Sequence, residues 1–74
     1  MKLTYDGQAD MAYLYIAEDV ADGDAAVTVV VDDEDLRGDL AVDLDADGRV
    51  LGIEIFNPRA QLRPDVLASA VRIG

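Results

Sequence analysis

The stretch Asp39-Leu-Ala-Val-Asp-Leu-Asp-Ala-Asp-Gly-Arg-Val-Leu-Gly-Ile-Glu-Ile-Phe56 decides the fold, because it fits two incompatible structures. It matches the calcium-loop pattern D-x-D-x-D-G-x5-E at Asp43, Asp45, Asp47, Gly48 and Glu54. It also has the pattern of two alternating strands joined by an Asp-Gly turn. The first interpretation predicts a bound cation, and the second predicts a hairpin without one.

The hairpin interpretation can be tested by its register. If Asp47-Gly48 is a two-residue type I′ turn, one face pairs large apolar residues: Leu44 with Leu51, Val42 with Ile53, and Leu40 with Ile55. The other face is largely polar, and pairs Asp45 with Val50, Asp43 with Gly52, Ala41 with Glu54, and Asp39 with Phe56. A half-buried antiparallel pair requires this separation of faces. The register therefore predicts a hairpin.

The calcium-loop interpretation lacks its structural context. An EF-hand needs a helix on each side of its loop. Here the segment before the loop alternates with period two, and the segment after it contains Gly52 and is soon followed by Pro58. A weaker alternative stays open, in which a strand-turn scaffold holds a cation through Asp43, Asp45, Asp47 and Glu54. Otherwise these acids form a solvated face.

The rest of the chain predicts a small α+β domain. Further strands are predicted at Lys2–Tyr5, Met11–Ile16 and Val27–Val31, and the hairpin strands at about 39–45 and 49–56. Asn57-Pro58 ends the sheet, and Pro64 opens a helix over about 64–72 that places Val66, Leu67, Ala70 and Val71 on one side. We expect one domain, residues 1–74, with an antiparallel four- to five-stranded meander and a short C-terminal helix packed on one face.

The second and third strands are apolar on both sides, which predicts a place in the middle of the sheet. A short helix covers only one face, so a partner subunit is expected on the other, because large exposed apolar patches mark interfaces. The prediction is a homodimer through the face that carries Met11, Tyr13, Tyr15 and Val30.

Composition narrows the function. The 74 residues carry a net charge of -10 and contain neither cysteine nor histidine. Such a surface disfavours nucleic acid and anionic membranes, and attracts cations or a basic protein. The usual general base is missing, and Ser69, the only serine, has no partner that would activate it. We therefore expect a non-enzyme without catalytic residues or cofactor, and a cytoplasmic location.

Two motifs resemble a known family. They are Tyr5-Asp6-x-x-Ala9-Asp10-x-Ala12-Tyr13-x-Tyr15-Ile16 and Val42-Asp43-x-Asp45-x-Asp47-Gly48-Arg49-Val50-x-Gly52-Ile53-Glu54-Ile55. Together they resemble the signatures of the small prokaryotic family called domain of unknown function 2283. The chain departs from the family pattern at Gln8, where Glu is common, and in its longer acidic loop 32–38. The resemblance implies a β-rich domain without assigned activity, and supports the hairpin. It also implies a possible antitoxin-like role, because relatives are encoded beside small toxin-like proteins.

These observations predict a non-catalytic homodimeric interaction module, antitoxin-like towards a basic partner. The alternative is a metal- or small-ligand-binding protein that uses the acidic hairpin 43–54.

Overall fold

The computed structural model describes residues 1–21 and 23–74. In these residues the strands are β1 (Lys2–Asp6), β2 (Met11–Tyr15), β3 (Val27–Val31), β4 (Leu40–Leu44), β5 (Val50–Phe56) and β6 (Val71–Arg72), and the helices are α1 (Pro58–Gln61) and α2 (Pro64–Ala68). The α+β class is confirmed. The expected four or five strands and single helix are replaced by six strands and two short helices among the described residues.

The strands form one sheet in the order β3-β4-β5-β2-β1-β6. All neighbours are antiparallel except β1 and β6, which are parallel. The expected meander is therefore wrong at one connection, because β2 pairs with β5 and not with β3. The chain between β2 and β3 crosses to the far edge of the sheet. Two local units, β1–β2 and β3–β4–β5, meet at the β2–β5 pair.

The two faces of the sheet differ in what covers them. On one face, Tyr5, Ala12 and Ile55 form the buried core. Helix-segment residues pack against this core, together with sheet neighbours: Leu3, Leu40, Ile53, Leu62, Leu67 and Ala70. We call this the helix face. The opposite face carries the other side chain of each alternating pair, and we call it the open face.

The helical segment is shorter than expected. The predicted helix 64–72 ends at Ala68, and Val71 lies in β6 instead. At the end of α2 the backbone bonds tighten, because the amides of Ser69 and Ala70 donate to the carbonyls three residues before them, Val66 at 3.1 Å and Leu67 at 3.2 Å. The Ser69 hydroxyl also donates to the Val66 carbonyl at 2.7 Å. The chain then runs beside β1, where the Ile73 amide donates to the Tyr5 carbonyl at 2.9 Å. Leu67 and Ala70 reach the core as predicted, whereas Val66 and Val71, expected on the same side, are 39% and 51% exposed.

The β4–β5 hairpin has the predicted register away from its turn. Leu40 pairs with Ile55, and Asp43 pairs with Gly52, as expected. The two-residue type I′ turn is wrong, because it needs a positive φ at Asp47, which has none, while Gly48 has φ 81°. The shift falls after Asp43, so that Leu44 pairs with Val50 and not with Leu51.

The Asp45 side chain accounts for the altered turn. Its Oδ1 accepts hydrogen bonds from the amides of Asp47 and Arg49, both at 2.9 Å. The Asp45 carbonyl accepts from the Gly48 amide at 3.0 Å, and its amide donates to the Arg49 carbonyl at 2.8 Å. The loop thus has three residues with glycine in the left-handed region, a common hairpin with a bulge.

Candidate functional site

The open face brings together the four predicted interface residues. Tyr13 pairs with Glu54, Glu54 with Ala41, and Ala41 with Val30, so these residues form one row across four strands. Met11 and Tyr15 lie two residues on either side of Tyr13 in the same strand, and so share its face. The helical segment packs Leu62, Leu67 and Ala70 against the opposite core, which leaves this row outside the helical layer.

A carboxylate is held at the centre of the open face by two hydroxyl groups. The Tyr13 hydroxyl donates to Asp43 Oδ2 at 2.7 Å, and the Thr28 hydroxyl donates to Asp43 Oδ1 at 2.7 Å. The tyrosine reaches across β5 at Gly52, where a Cβ atom would collide with its ring. Gly52 is therefore a point of close approach in the sheet, and the three groups connect β2, β4 and β3.

Burial and neighbouring charge alter the acidity of Tyr13. Its partial burial, the hydrogen bond to Asp43 and the negative charge of Asp43 raise the pKa of its hydroxyl well above the ordinary value of 10.0. Each cause disfavours the phenolate. Burial removes water from the charged form, the hydrogen bond to Asp43 needs the hydroxyl proton, and the charge of Asp43 repels a second negative charge. At neutral pH the Tyr13 hydroxyl therefore keeps its proton and donates it in the hydrogen bond to Asp43.

The two tyrosines of β2 pack along one strand. The ring centroids of Tyr13 and Tyr15 are 4.7 Å apart, with the planes tilted by 56°. The Lys2 ammonium lies 5.9 Å from the Tyr15 ring centroid, within range of a cation–π interaction. This tyrosine pair lies within β2, and Tyr5 belongs instead to the helix-face core.

Two shallow depressions flank the Tyr13 ring. One, of about 270 Å³, is lined by Thr4, Asp6, Ala9, Met11, Ala12, Tyr13, Glu54 and Ile73. The other, of about 250 Å³, lies between Tyr13, Tyr15, Asp43 and the loop residues Val20, Ala21, Gly23 and Ala25. Both are open to solvent and mix apolar with acidic side chains. Such a surface suits protruding side chains of a partner better than it suits an enclosed small molecule.

The candidate metal ligands are spread over different surroundings. Asp43 is bound by the two hydroxyls, and Asp45 is bound by the backbone of its own turn. Glu54 lies in the open-face row, and Asp47 lies at the tip of the hairpin. Within residues 1–21 and 23–74, no three acidic side chains are grouped so that they would hold a metal ion.

A larger groove lies on the helix side, between β1 and α2. It has a volume of about 520 Å³, and its lining includes Tyr5, Leu67 and two arginines, Arg59 and Arg72. Arg59 donates to the Tyr5 hydroxyl at 2.7 Å, and this hydrogen bond raises the pKa of the Arg59 guanidinium. Arg72 lies over the Tyr5 ring, 5.2 Å from its centroid. Both cations thus attach the C-terminal segment to β1.

Sequence reasoning missed the role of Thr28 and the reach of Tyr13. A usable signal was present, because the predicted register already placed Asp43 opposite Gly52. A glycine beside a carboxylate leaves space for a long side chain from the next strand. The pairing of β2 with β5 was the missing information, since it brings Tyr13 next to that space.

Comparisons with known proteins agree with the two motifs. Residues 2–58 match the family described as "Protein of unknown function (DUF2283)". The match runs from β1 to the first residue of α1, and so includes Tyr13, Gly52 and Asp43. No curated protein and no solved structure matches the chain. No helix of the described residues is long and apolar enough to cross a membrane. Because the match covers well over half of its length, the chain belongs to the DUF2283 family.

Proposed function

We propose that this protein is a non-catalytic interaction module of the cytoplasm that acts as a homodimer through its open face. The observation that supports the proposal is that Met11, Tyr13, Tyr15 and Val30 share a face that neither helix covers. Val30 is 61% exposed, although it lies in a strand of β-branched residues. Aromatic and methionine side chains are enriched at protein interfaces.

The hydrogen bonds of Asp43 support contact at this face. A carboxylate that loses water without a replacement partner is costly to bury. Here each oxygen of Asp43 already accepts a hydroxyl hydrogen bond, from Tyr13 or Thr28. A partner that covers the face therefore removes less hydration from Asp43 than from a free carboxylate.

The dimensions of the molecule are also suitable. It measures 34 × 28 × 19 Å, so its broad faces are on the order of 900 Å². Specific interfaces bury roughly 800 Å² on each partner. The open face as a whole is therefore large enough for a stable pair, whereas either depression alone is not.

A basic protein is the second candidate for the same face. Asp6, Asp43 and Glu54 lie on it, and the whole chain carries a charge of -10. Complementary charge speeds association and selects partners. An antitoxin-like function would use this surface to cover a basic protein. Co-purification from the native host tests the idea, because a basic partner retained at low salt and released at high salt would establish it.

The proposal of a homodimer is tested by Tyr15→Glu. The Tyr15 hydroxyl makes no hydrogen bond with the described residues, so this change is expected to leave the sheet folded while placing a charge in the interface. Val66→Glu is the matched control, since Val66 is 39% exposed on α2, away from the open face. Sedimentation equilibrium at micromolar concentration measures the result, with Val29→Lys present in every sample so that association through the exposed edge of β3 does not contribute. We expect at least a tenfold weaker dimer when Tyr15→Glu is added and no change when the control is added; a monomer in the sample that carries neither change contradicts the proposal.

The metal-binding alternative predicts a different result. If the acidic hairpin 43–54 binds a cation in solution, calcium or magnesium will raise the melting temperature and shift the amide resonances of the hairpin. Asp45→Asn will then abolish both effects.

A further inference from the structure

Strand β3 is an edge strand without the usual protection. Its five residues, Val-Thr-Val-Val-Val, are all exposed, with Val27 at 53% and Val29 at 45%. Its inner edge pairs with β4, and no strand of the described residues 1–21 and 23–74 pairs with its outer edge. Natural edge strands are commonly protected by lysine, proline, bulges or short length. The five residues of β3 contain neither lysine nor proline, and its register with β4 is unbroken.

The opposite edge of the sheet shows the contrast. There β6 is only two residues long, and it contains Arg72. Edge pairing needs a run of free backbone groups, which a two-residue strand cannot offer. The expectation that β3 lies in the middle of the sheet is wrong for a single copy, where β3 is an edge strand. Its side chains are nevertheless typical of a strand with a neighbour on both sides.

We infer that β3 pairs antiparallel with β3 of a second copy of this chain, about a two-fold axis at Val29. A symmetric antiparallel pair places one residue opposite itself. With Val29 at the axis, Val27 lies opposite Val31 of the other copy, and Thr28 lies opposite Val30. Every contact then joins β-branched side chains, which pack well across strands. This contact is separate from the open face and does not depend on it.

The distribution of charge selects the antiparallel arrangement. The run Asp32-Asp33-Glu34-Asp35 follows β3, and Ala25-Ala26 precedes it. In a parallel pair the two acidic runs would lie side by side, and like charges opposite each other are destabilising. In the antiparallel pair Asp32 and Asp33 lie opposite Ala26 and Ala25 of the other copy, and one acidic pair, Glu34 with Asp24, remains beyond the strand. The strand therefore fits its own copy in one orientation.

The pair also continues an apolar surface. Val29 pairs with Val42, and Val31 pairs with Leu40, so the outer valines share the helix face with the core strands. Antiparallel pairing about Val29 places six valines, three from each copy, in one row on that face. The two sheets become one, and the apolar row at the edge gains a neighbour on its outer side.

Single cysteines test the register, because the chain has no cysteine of its own. Val29→Cys should form a disulfide between copies under mild oxidation, since opposed residues have Cα atoms about 4.5–5.5 Å apart, within disulfide range. Val27→Cys alone should not, because its own counterpart is four residues away along the strand, or roughly 13 Å. A mixture of Val27→Cys and Val31→Cys should cross-link as well as Val29→Cys.

Val50→Cys is the matched control, because Val50 is 42% exposed and lies on β5, away from the edge. Val29→Cys is expected to cross-link at least tenfold faster than the control. An equal rate overturns the inference, and so does a rate for Val27→Cys alone that equals that of Val29→Cys. The result is independent of the open face, because adding Tyr15→Glu to Val29→Cys should leave the cross-link unchanged.

Salt dependence separates self-pairing from a basic strand bound at the same edge. Each copy has a charge of -10, so raising the ionic strength from about 0.01 to about 0.3 M screens the repulsion between copies. The association constant for self-pairing should then increase at least twofold. A basic strand would bind more weakly under the same change, and that outcome overturns the inference. Val29→Lys should abolish the pairing at both ionic strengths, since it places two lysines opposite each other.

Discussion

The Tyr13 hydroxyl donates a 2.7 Å hydrogen bond to Asp43 Oδ2 from two strands away, over the backbone of Gly52. With the second bond from Thr28, the carboxylate of β4 connects its neighbour β3 with the more distant strand β2. This arrangement depends on glycine, because any other residue at position 52 would place a side chain where the ring lies. The polar centre of the open face is therefore also a structural tie across the sheet.

Tyr13→Phe should reduce the free energy of unfolding by about 1 kcal/mol, because a hydrogen bond to a charged, part-buried group is lost. Urea denaturation measures the change. Tyr15→Phe is the control, and is expected to stay within about 0.5 kcal/mol of wild type, since that hydroxyl has no hydrogen-bond partner among the described residues. Equal effects of the two changes would contradict the role given to Tyr13.

Gly52→Ala should destabilise the protein by about 1–3 kcal/mol, because its Cβ would collide with the Tyr13 ring. The sign should reverse when Tyr13→Ala is also present. With the ring gone, alanine gains about 0.5–1 kcal/mol over glycine in a strand. A double-mutant cycle measures this coupling, and simple additivity of the two changes would show that the contact does not form.

Stability should fall at high pH more steeply in wild type than in Tyr13→Phe. The pKa of Tyr13 is raised on folding above its ordinary value of 10.0, so the folded state keeps a proton that the unfolded state releases. The contribution of this group is therefore complete below pH 10 and is lost as pH rises through the folded pKa. Urea unfolding of both proteins from about pH 8 to about pH 11 tests this prediction. If the difference in unfolding free energy between wild type and Tyr13→Phe stays constant over this range, the prediction is wrong.

Asp45→Ala should cost about 1–2 kcal/mol, because two backbone amides of the hairpin turn lose their acceptor. Asp45→Asn should keep most of that stability, since an amide oxygen also accepts. Asp47→Ala should change stability by no more than about 0.5 kcal/mol. Thermal melting with and without calcium completes the test, and we expect the same order of stability in both conditions. A calcium-dependent stabilisation of the wild type that all three changes remove would instead favour a cation site.

The hairpin was predictable because its information is local. Alternation between Leu40 and Ile55 fixed which residues face each other, and the structure keeps that register from Leu40 to Asp43. The turn was not predicted correctly, because the Asp-Gly pattern is shared by two turn types. The side chain of Asp45 decides between them by accepting hydrogen bonds from two amides. The pairing of apolar residues gives no information about these bonds.

The strand order could not be read from the sequence. Apolar residues on both sides of β3 indicated a central strand, and the same residues occur at the edge. An apolar pattern indicates that side chains on both sides of a strand can be buried. It does not indicate whether the same chain supplies a neighbouring strand. The shared face of Met11, Tyr13 and Tyr15 could be read from the sequence, because it needs only the alternation of one strand.

The order of the strands also has a consequence for how the chain folds. The units β1–β2 and β3–β4–β5 each join neighbours that are close in sequence, and such hairpins form within microseconds. Their union at β2 and β5 brings together residues about 40 positions apart, and the entropy of that closure must be lost before any contact compensates for it. We therefore expect docking of the first hairpin onto β5 to set the folding rate.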